Sequence, residues 1–159
     1  MIGIGNNILM RNNAVASSFG LFGGGYSTAN SAYTDKYTYS GDTVVAGTVL
    51  GLARRDLAAT GNSIVGIFGG GNDGVNTTYT DKYTYSGDTV VAGTVLGLAR
   101  YVLAATGNSI VGIFGGGFTT VVTNYTDKYT YSGDTVVAGT VLGLARRSLA
   151  ACSPTANGL

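Results

Sequence analysis

The side chains that could do chemistry in this chain are aspartates and arginines that recur at fixed intervals. Each copy of a repeated string carries two carboxylates, Asp35 and Asp42 in the first copy, which could in principle form an acid–base pair. Asp42 follows Ser-Gly, a hairpin-turn sequence in which aspartate commonly bonds its own backbone. We therefore expect a turn role for Asp42, and a surface or inter-repeat ion pair where Asp35 stands beside Lys36. Their equivalents are Asp81, Asp88, Asp127 and Asp134.

Three arginines, Arg54, Arg100 and Arg146, end the three copies of the same string. In a ring-shaped assembly they would surround the central axis, where they could bind an anion by charge-assisted hydrogen bonds. Alternatively, each guanidinium bridges carbonyls or an aspartate of the neighbouring repeat. We favour this structural role and keep the three arginines as candidate ligand-binding residues.

Composition excludes most catalytic and metal sites. The chain has no histidine and a single cysteine, so Ser-His-Asp and Cys-His machinery, zinc sites and internal disulfides are ruled out within it. The glycine runs lack a Gly-Lys-Ser/Thr ending and a following helix, so they predict turns rather than phosphate-binding loops. We expect no enzyme activity, no catalytic residue, no metal and no cofactor.

Charge and hydropathy also limit the partners. Only 11% of the residues are charged and the net charge is +1, which predicts neither nucleic-acid nor membrane binding. Residues 1–10 lack a basic region followed by an apolar run, and no apolar stretch reaches 18 residues. We expect no signal peptide and no membrane span, which leaves the compartment unknown, with the cytoplasm as the default.

An internal repeat organises the whole chain. The string YTDKYTYSGDTVVAGTVLGLAR begins at Tyr33, Tyr79 and Tyr125, identical in all three copies and spaced by 46 residues. A second block, LAATGNSIVGIFGGG, occurs twice and has a partial relative near residue 18. We predict a single repeat domain over 1–159, with units at 17–62, 63–108 and 109–152.

Each unit is predicted to form four β-strands. Glycine-containing turns separate short runs rich in Tyr, Thr and Val, whereas strong helix formers are scarce. The strands are placed at 57–60, 63–68, 33–40 and 43–50, from the inside of the unit outward. The run at 63–68 is continuously apolar, which indicates burial on both faces. The run at 33–40 alternates, with Tyr and Asp on one face and Thr, Lys and Ser on the other.

A glycine run after an apolar strand, a tyrosine further on and an arginine opening the next inner strand together resemble the Kelch repeat. The resemblance covers most of residues 17–152 and implies an all-β, β-propeller fold of four-stranded antiparallel blades that serves as a protein-interaction module. Kelch repeats have a tryptophan shortly after the tyrosine, where this chain has Val45, Val91 and Val137.

Three blades are too few to close a propeller, because known rings have about four to eight. An open arc would expose two apolar sheet faces on the order of several hundred Å² each. Two chains would give six blades, so we predict a homodimer. A terminal inner strand at 148–152 could complete the first blade of the partner, where 9–16 is an imperfect equivalent. The alternatives are a piece of a longer propeller and a β-solenoid, whose rungs are usually shorter.

The repeats differ in only two windows. These are the seven residues after the glycine run and the pair after the repeated arginine, at 26–32, 72–78, 118–124, 55–56, 101–102 and 147–148. In a four-stranded blade both windows lie on one face, and loops on a rigid scaffold commonly carry recognition. The alternative is drift in surface loops.

The binding candidates on this face are Tyr26, Asn72, Asp73, Tyr101 and Phe118, with the three aromatic residues as anchors. We expect a non-enzymatic, self-assembling scaffold that binds a protein or a glycan. The rival hypothesis is a purely structural, self-associating repeat, recently amplified or engineered, with no ligand.

Overall fold

The structure is a computed structural model that describes residues 19–153. This part of the chain contains eleven β-strands and no helix, and every strand pair is antiparallel. The strands form three separate sheets, which do not close on one another. The all-β prediction is therefore confirmed. Accordingly, no helix in the described range could cross a membrane.

Each sheet corresponds to one copy of the repeat. Sheet 1 has the order β1-β2-β3, sheet 2 β4-β5-β6-β7 and sheet 3 β8-β9-β10-β11. The strands are β1 Phe19–Gly23, β2 Thr34–Thr38, β3 Thr43–Ala46, β4 Ala58–Gly61, β5 Val65–Gly69, β6 Thr80–Thr84, β7 Thr89–Ala92, β8 Ala104–Gly107, β9 Val111–Gly115, β10 Thr126–Thr130 and β11 Thr135–Ala138.

The core consists of two layers, one on each side of sheet 2. Side chains of a strand alternate between its faces, so in β5 Ile67 packs in the layer toward sheet 3 and Phe68 in the layer toward sheet 1. Every residue of β5 is buried, which confirms the burial predicted for the run at 63–68 from Val65 onward, whereas Ser63 and Ile64 are exposed. The equivalent β1 and β9 lie in the outer sheets and are only partly buried, because each has a neighbouring sheet on one side alone in the described chain.

The constant turns are stabilised by their own side chains. Asn62 accepts hydrogen bonds from the backbone of Ile64 and Val65, at 2.8 and 3.0 Å, which delays the start of β5 to Val65 instead of the predicted 63. Asp42 has a φ of 48°, in the left-handed region that aspartate tolerates better than most residues. Asp42 and its equivalents thus lie in the predicted turns, but their side chains bond outside them: Asp42 accepts from Tyr37, and Asp88 accepts from Lys36 of the neighbouring sheet.

The outermost strands are shorter than predicted. The expected strand at 43–50 ends at Ala46, after which the Gly47 and Leu50 amides still donate to their own repeat but Thr48 bonds to the neighbouring sheet. The Thr48 hydroxyl donates to the Asp88 carbonyl at 2.5 Å, and Leu50 enters the core. In the alternating strand at 33–40, the face that carries threonine is also partly buried. Thr34 on this face is buried and donates to the Thr48 carbonyl at 2.9 Å.

The terminal segment 148–152 is equivalent in sequence position to an inner strand, but it is not in a β-strand. Ser148 donates to the Val102 carbonyl at 2.9 Å, just as Val102 donates to the Asp56 carbonyl at 2.9 Å. Residues 148–152 form no strand within the described chain, and the pairing with a partner's first blade stays a prediction. Sheet 1 correspondingly has no inner strand among the described residues. The imperfect equivalent at 9–16 lies outside them.

Candidate functional site

The two variable windows lie at the same end of the sheets. Antiparallel strands reverse at every turn, so the loop from β5 to β6 and the link from β7 to β8 leave sheet 2 at one end. The constant turns, from β4 to β5 and from β6 to β7, lie at the opposite end. We call the surface formed by 26–32, 55–56, 72–78, 101–102, 118–124 and 147–148 the variable face.

Backbone bridges join the windows of the variable face. Arg55 and Asn72 exchange two hydrogen bonds, at 3.0 and 2.9 Å. Tyr101 and Phe118 make the same exchange one repeat later, at 3.1 and 2.9 Å. The residue after each repeated arginine therefore contacts the loop of the following sheet, and the two windows form one continuous surface.

The aromatic candidates differ in how available they are. Tyr26 is exposed, and the Arg55 guanidinium lies 5.3 Å from the centre of its ring. Tyr101 and Phe118 are half-buried and pack edge to face with a centroid distance of 5.7 Å. The Arg147 guanidinium lies 4.8 Å from the Phe118 ring. The structure thus brings two of the three predicted anchors into contact with each other.

The polar candidates shape their own loop. The Asn72 side chain accepts from the Gly74 amide at 3.1 Å and donates to the Asn76 side chain at 3.2 Å. Asp73 accepts from the Val75 amide at 3.2 Å and is exposed, so one oxygen of its carboxylate faces solvent. Of the two residues, Asp73 is the better placed to contact a ligand.

The repeated arginines are placed differently from the variable face. Arg54 is completely buried and donates four hydrogen bonds. Its acceptors are the carbonyls of Gly70 at 2.8 Å, Phe68 at 3.0 Å and Leu52 at 3.0 Å, and the carboxylate of Asp81 at 2.6 Å. The Asp81 carboxylate is also fully buried and accepts from the Gly51 amide at 2.8 Å. These contacts hold sheets 1 and 2 together and leave the guanidinium no access to solvent.

Arg100 repeats this arrangement between sheets 2 and 3. It is fully buried and bonds to Gly116, Phe114, Leu98 and Asp127. Arg146, the third member, is exposed. The contacts of Arg54 and Arg100 support the bridging role over anion binding for these two residues.

A third contact between sheets lies at the opposite end from the variable face. Lys36 Nζ lies 2.6 Å from a carboxylate oxygen of Asp88, and this hydrogen bond lowers the pKa of Asp88 below its usual value. An inter-repeat ion pair was expected where Asp35 stands beside Lys36. Lys36 forms such a pair with Asp88 and not with Asp35.

The backbone of the variable face is strained at one residue. Val102 has a φ of 48°, in the left-handed region that β-branched side chains rarely adopt. Asp56 and Ser148 occupy the equivalent positions with φ values of 57° and 55°. The sequence does not predict this strain. The positive φ comes from the backbone path that the segments after the three repeated arginines have in common.

The partner of each buried arginine likewise could not be singled out from sequence, because in identical repeats every pair of residues recurs at the same spacing. Arg54 and Asp81 are 27 residues apart, and so are Arg100 and Asp127.

Within residues 19–153, no three potential metal ligands come together. No protein-family model matches the sequence, and no curated protein matches it either. The Kelch resemblance therefore stays a prediction from the repeat residues.

Proposed function

We propose that this chain is a non-enzymatic scaffold whose three sheets are blades of a Kelch-like β-propeller. Two copies associate into a six-bladed ring, and the variable face of that ring binds a protein or a glycan. The carrying observation is that, apart from the divergent β1 and the terminal segment, the sequence variation between the repeats lies on one bridged surface.

The sheet arrangement supports the propeller proposal. Sheets 2 and 3 are each four-stranded and meander from the inner to the outer strand in chain order. Their inner strands are adjacent, since the Thr60 hydroxyl of β4 donates to the carbonyl of Thr106 in β8 at 3.1 Å. Neighbouring inner strands with stacked sheet faces are the arrangement of propeller blades.

The exposed face of sheet 1 supports the association of two chains. Phe22, Phe68 and Phe114 occupy the same position in the three repeats, yet Phe22 is 66% exposed whereas the other two are 3% and 0% exposed. A phenylalanine that is buried in two repeats and exposed in the first marks a sheet face without its neighbour. Such a face favours contact with another blade.

The exposed side chains of the loops favour a protein partner over a glycan. Val75 and Val121 are 70% and 64% exposed, and Tyr26 lies exposed on the same surface. Apolar and aromatic side chains on loops above a rigid sheet are suited to a protein contact. A sugar ligand would use Tyr26 by stacking on its ring.

A purely structural role is the second candidate, and one observation favours it. Tyr101 and Phe118 pack against each other, and Arg147 against Phe118, so these variable residues are partly occupied in holding the loops together. On this alternative the variation adjusts loop packing and no ligand binds.

An exchange of loops separates the two candidates. Replacing residues 72–78 by the sequence of 26–32 keeps the loop length and all strand residues, so the thermal unfolding midpoint should stay within about 3 °C. Both proteins are screened against a peptide-display library and a glycan array. The scaffold proposal expects ligands bound by the parent and lost in the exchange.

The matched control is Gly87→Ala in a constant turn, where an added methyl group has its nearest neighbour 3.5 Å away. It should leave both folding and binding unchanged. If the parent binds nothing in either screen, the structural candidate is favoured. If the exchanged protein unfolds, the idea of independent loops on a rigid scaffold is wrong.

A further inference from the structure

The buried Arg–Asp pairs leave one unmatched member at each end of the arc. Arg54 of sheet 1 pairs with Asp81 of sheet 2, and Arg100 of sheet 2 pairs with Asp127 of sheet 3. Asp35 of sheet 1 is exposed and has no arginine partner within residues 19–153. Arg146, which follows sheet 3, is exposed and has no aspartate partner in the same range.

The site that receives each buried arginine has four parts. In sheet 2, Arg54 is bound by the carbonyls of Phe68 and Gly70 and by the Asp81 carboxylate, and its guanidinium lies 5.4 Å from the centre of the Tyr79 ring. In sheet 3 the same parts receive Arg100, with 5.5 Å to the ring of Tyr125. A carboxylate, two carbonyls and a ring face match the donors and the flat face of a guanidinium.

Sheet 1 contains the same four parts around a cavity. Phe22, Gly24, Tyr33 and Asp35 all line a cavity of about 270 Å³. The strand register is also the same, because Phe22 lies opposite Asp35 in β1 and β2 as Phe68 lies opposite Asp81 in β5 and β6. We call this cavity the arginine slot.

We propose that the arginine slot binds the side chain of Arg146 from a second copy of this chain. This inference rests on the proposed self-assembly and names the residues that join its two halves. The guanidinium donates to the carbonyls of Phe22 and Gly24 and to the Asp35 carboxylate, above the Tyr33 ring. Repeating this contact at both ends closes a two-chain ring.

Other residues at the two ends fit the same docking. Gly51 donates its amide to Asp81 at 2.8 Å and Gly97 donates to Asp127 at 2.9 Å. Gly143 is the third equivalent; it is exposed, and an added Cβ there would meet no other atom within 4 Å, so this end of the arc has room for a second copy. Leu144 beside it is exposed, which extends the open surface of this end.

Steric complementarity points to the same pairing of ends. A side chain on Gly23 would lie 2.9 Å from the Phe68 ring, and one on Gly69 would lie 2.8 Å from the Phe114 ring, so a phenylalanine of the next sheet covers each glycine. Gly115 has no aromatic side chain within 4 Å. The exposed Phe22 of a second copy is the equivalent ring to cover it.

The first test is the mass of the full chain by size exclusion with light scattering, over a range of protein concentrations. The parent should have a mass near twice 16.1 kDa. Arg146→Gln and Asp35→Asn should each raise the dimer dissociation constant by at least about a hundredfold, because each leaves a buried charge unpaired at both contacts. The matched controls Lys82→Gln and Asp73→Asn remove a charge in or beside the middle sheet, away from both ends, and should leave that constant unchanged.

The second test uses charge reversal. Arg146→Asp alone and Asp35→Arg alone each oppose like charges at both contacts, so each variant should be monomeric. In an equimolar mixture, one contact regains the original pair. At the other, a carboxylate faces the Phe22 and Gly24 carbonyls, so the mixed dimer should be weaker than the parent dimer but stronger than either variant alone. Restored dimer in the mixture supports the slot even if a single variant aggregates, and no dimer in the mixture overturns it.

The outcomes separate the slot from the self-assembly. If the parent is a dimer and Arg146→Gln dissociates no more readily than Lys82→Gln, the arginine slot is wrong and self-assembly stands. If the parent is a monomer at every concentration, both are wrong. The loop-exchange experiment on the variable face is independent of either result.

Discussion

Changing Asp81 to asparagine should destabilise the protein more than any exposed charge change. The introduced amide can still accept from Gly51 through its oxygen, which preserves the 2.8 Å hydrogen bond of the parent. It no longer carries the negative charge that lies 2.6 Å from Arg54. Both side chains are completely buried, so the guanidinium would keep its full charge in the core without a counter-ion.

The expected loss follows from that burial. Breaking a fully buried ion pair by removing one partner typically costs about 3–5 kcal/mol. A domain of this size has a total unfolding free energy of roughly 5–15 kcal/mol, so the variant should lose about a fifth or more of its stability. The matched control is Asp73→Asn, the same change at an exposed carboxylate, which should cost less than about 0.5 kcal/mol.

Urea unfolding at one protein concentration measures both values, and a double-mutant cycle isolates the pair. Arg54→Met together with Asp81→Asn removes both charges, so its cost should be about 2–3 kcal/mol smaller than the sum of the single changes. The remaining cost reflects the carbonyls that lose their donor. A single-variant loss below about 1 kcal/mol, or additive single changes, would refute the pairing as a source of stability.

Two further changes test the backbone strain and the burial of a phenol. Val102→Asn should raise the unfolding free energy by about 1 kcal/mol, measured as a rise of about 3 °C in Tm, because asparagine tolerates a φ of 48° better than valine. Ser148→Asn, at an equivalent position, is the neutral control, and a lower Tm for Val102→Asn would contradict the strain. Burial raises the pKa of Tyr85 to about 12 from 10, so folding favours the neutral phenol. Its contribution is present below pH 10 and lost as pH rises from 10 to 12, so the parent should lose about 2 kcal/mol more over that interval than Tyr85→Phe, and equal losses in urea unfolding would contradict it.

Sequence reasoning predicts most of the sheet pattern because the strands follow from local rules. The alternation at 33–40, the apolar run at 63–68 and the glycine turns are each specified by neighbouring residues. The strand ends were less predictable, since they depend on other sheets. The strand at 43–50 ends at Ala46, after which Thr48 bonds to Asp88, which is 40 residues further on.

The candidate site was predictable in position and less so in chemistry. Variation between repeats located the variable face, which needs only the direction of each strand. The availability of Tyr101 could not be read from sequence, because it depends on Phe118 folding against its ring. Burial of Arg54 likewise depends on the path of the neighbouring sheet, and its separation of 27 residues from Asp81 does not single out that pair.

Equivalent residues of the repeats fall into two groups. Those between sheets stabilise the chain, and those at its two ends could control its assembly. Arg54 and Asp81 work inside the chain, so changing either one weakens the fold itself. Asp35 and Arg146 have the same residue types at the exposed ends, where a change costs the single chain little. On the proposed ring, an identical contact therefore stabilises the fold at internal positions and joins the two chains at the ends. Only the end positions allow the strength of association to be altered while the fold and the variable face stay intact.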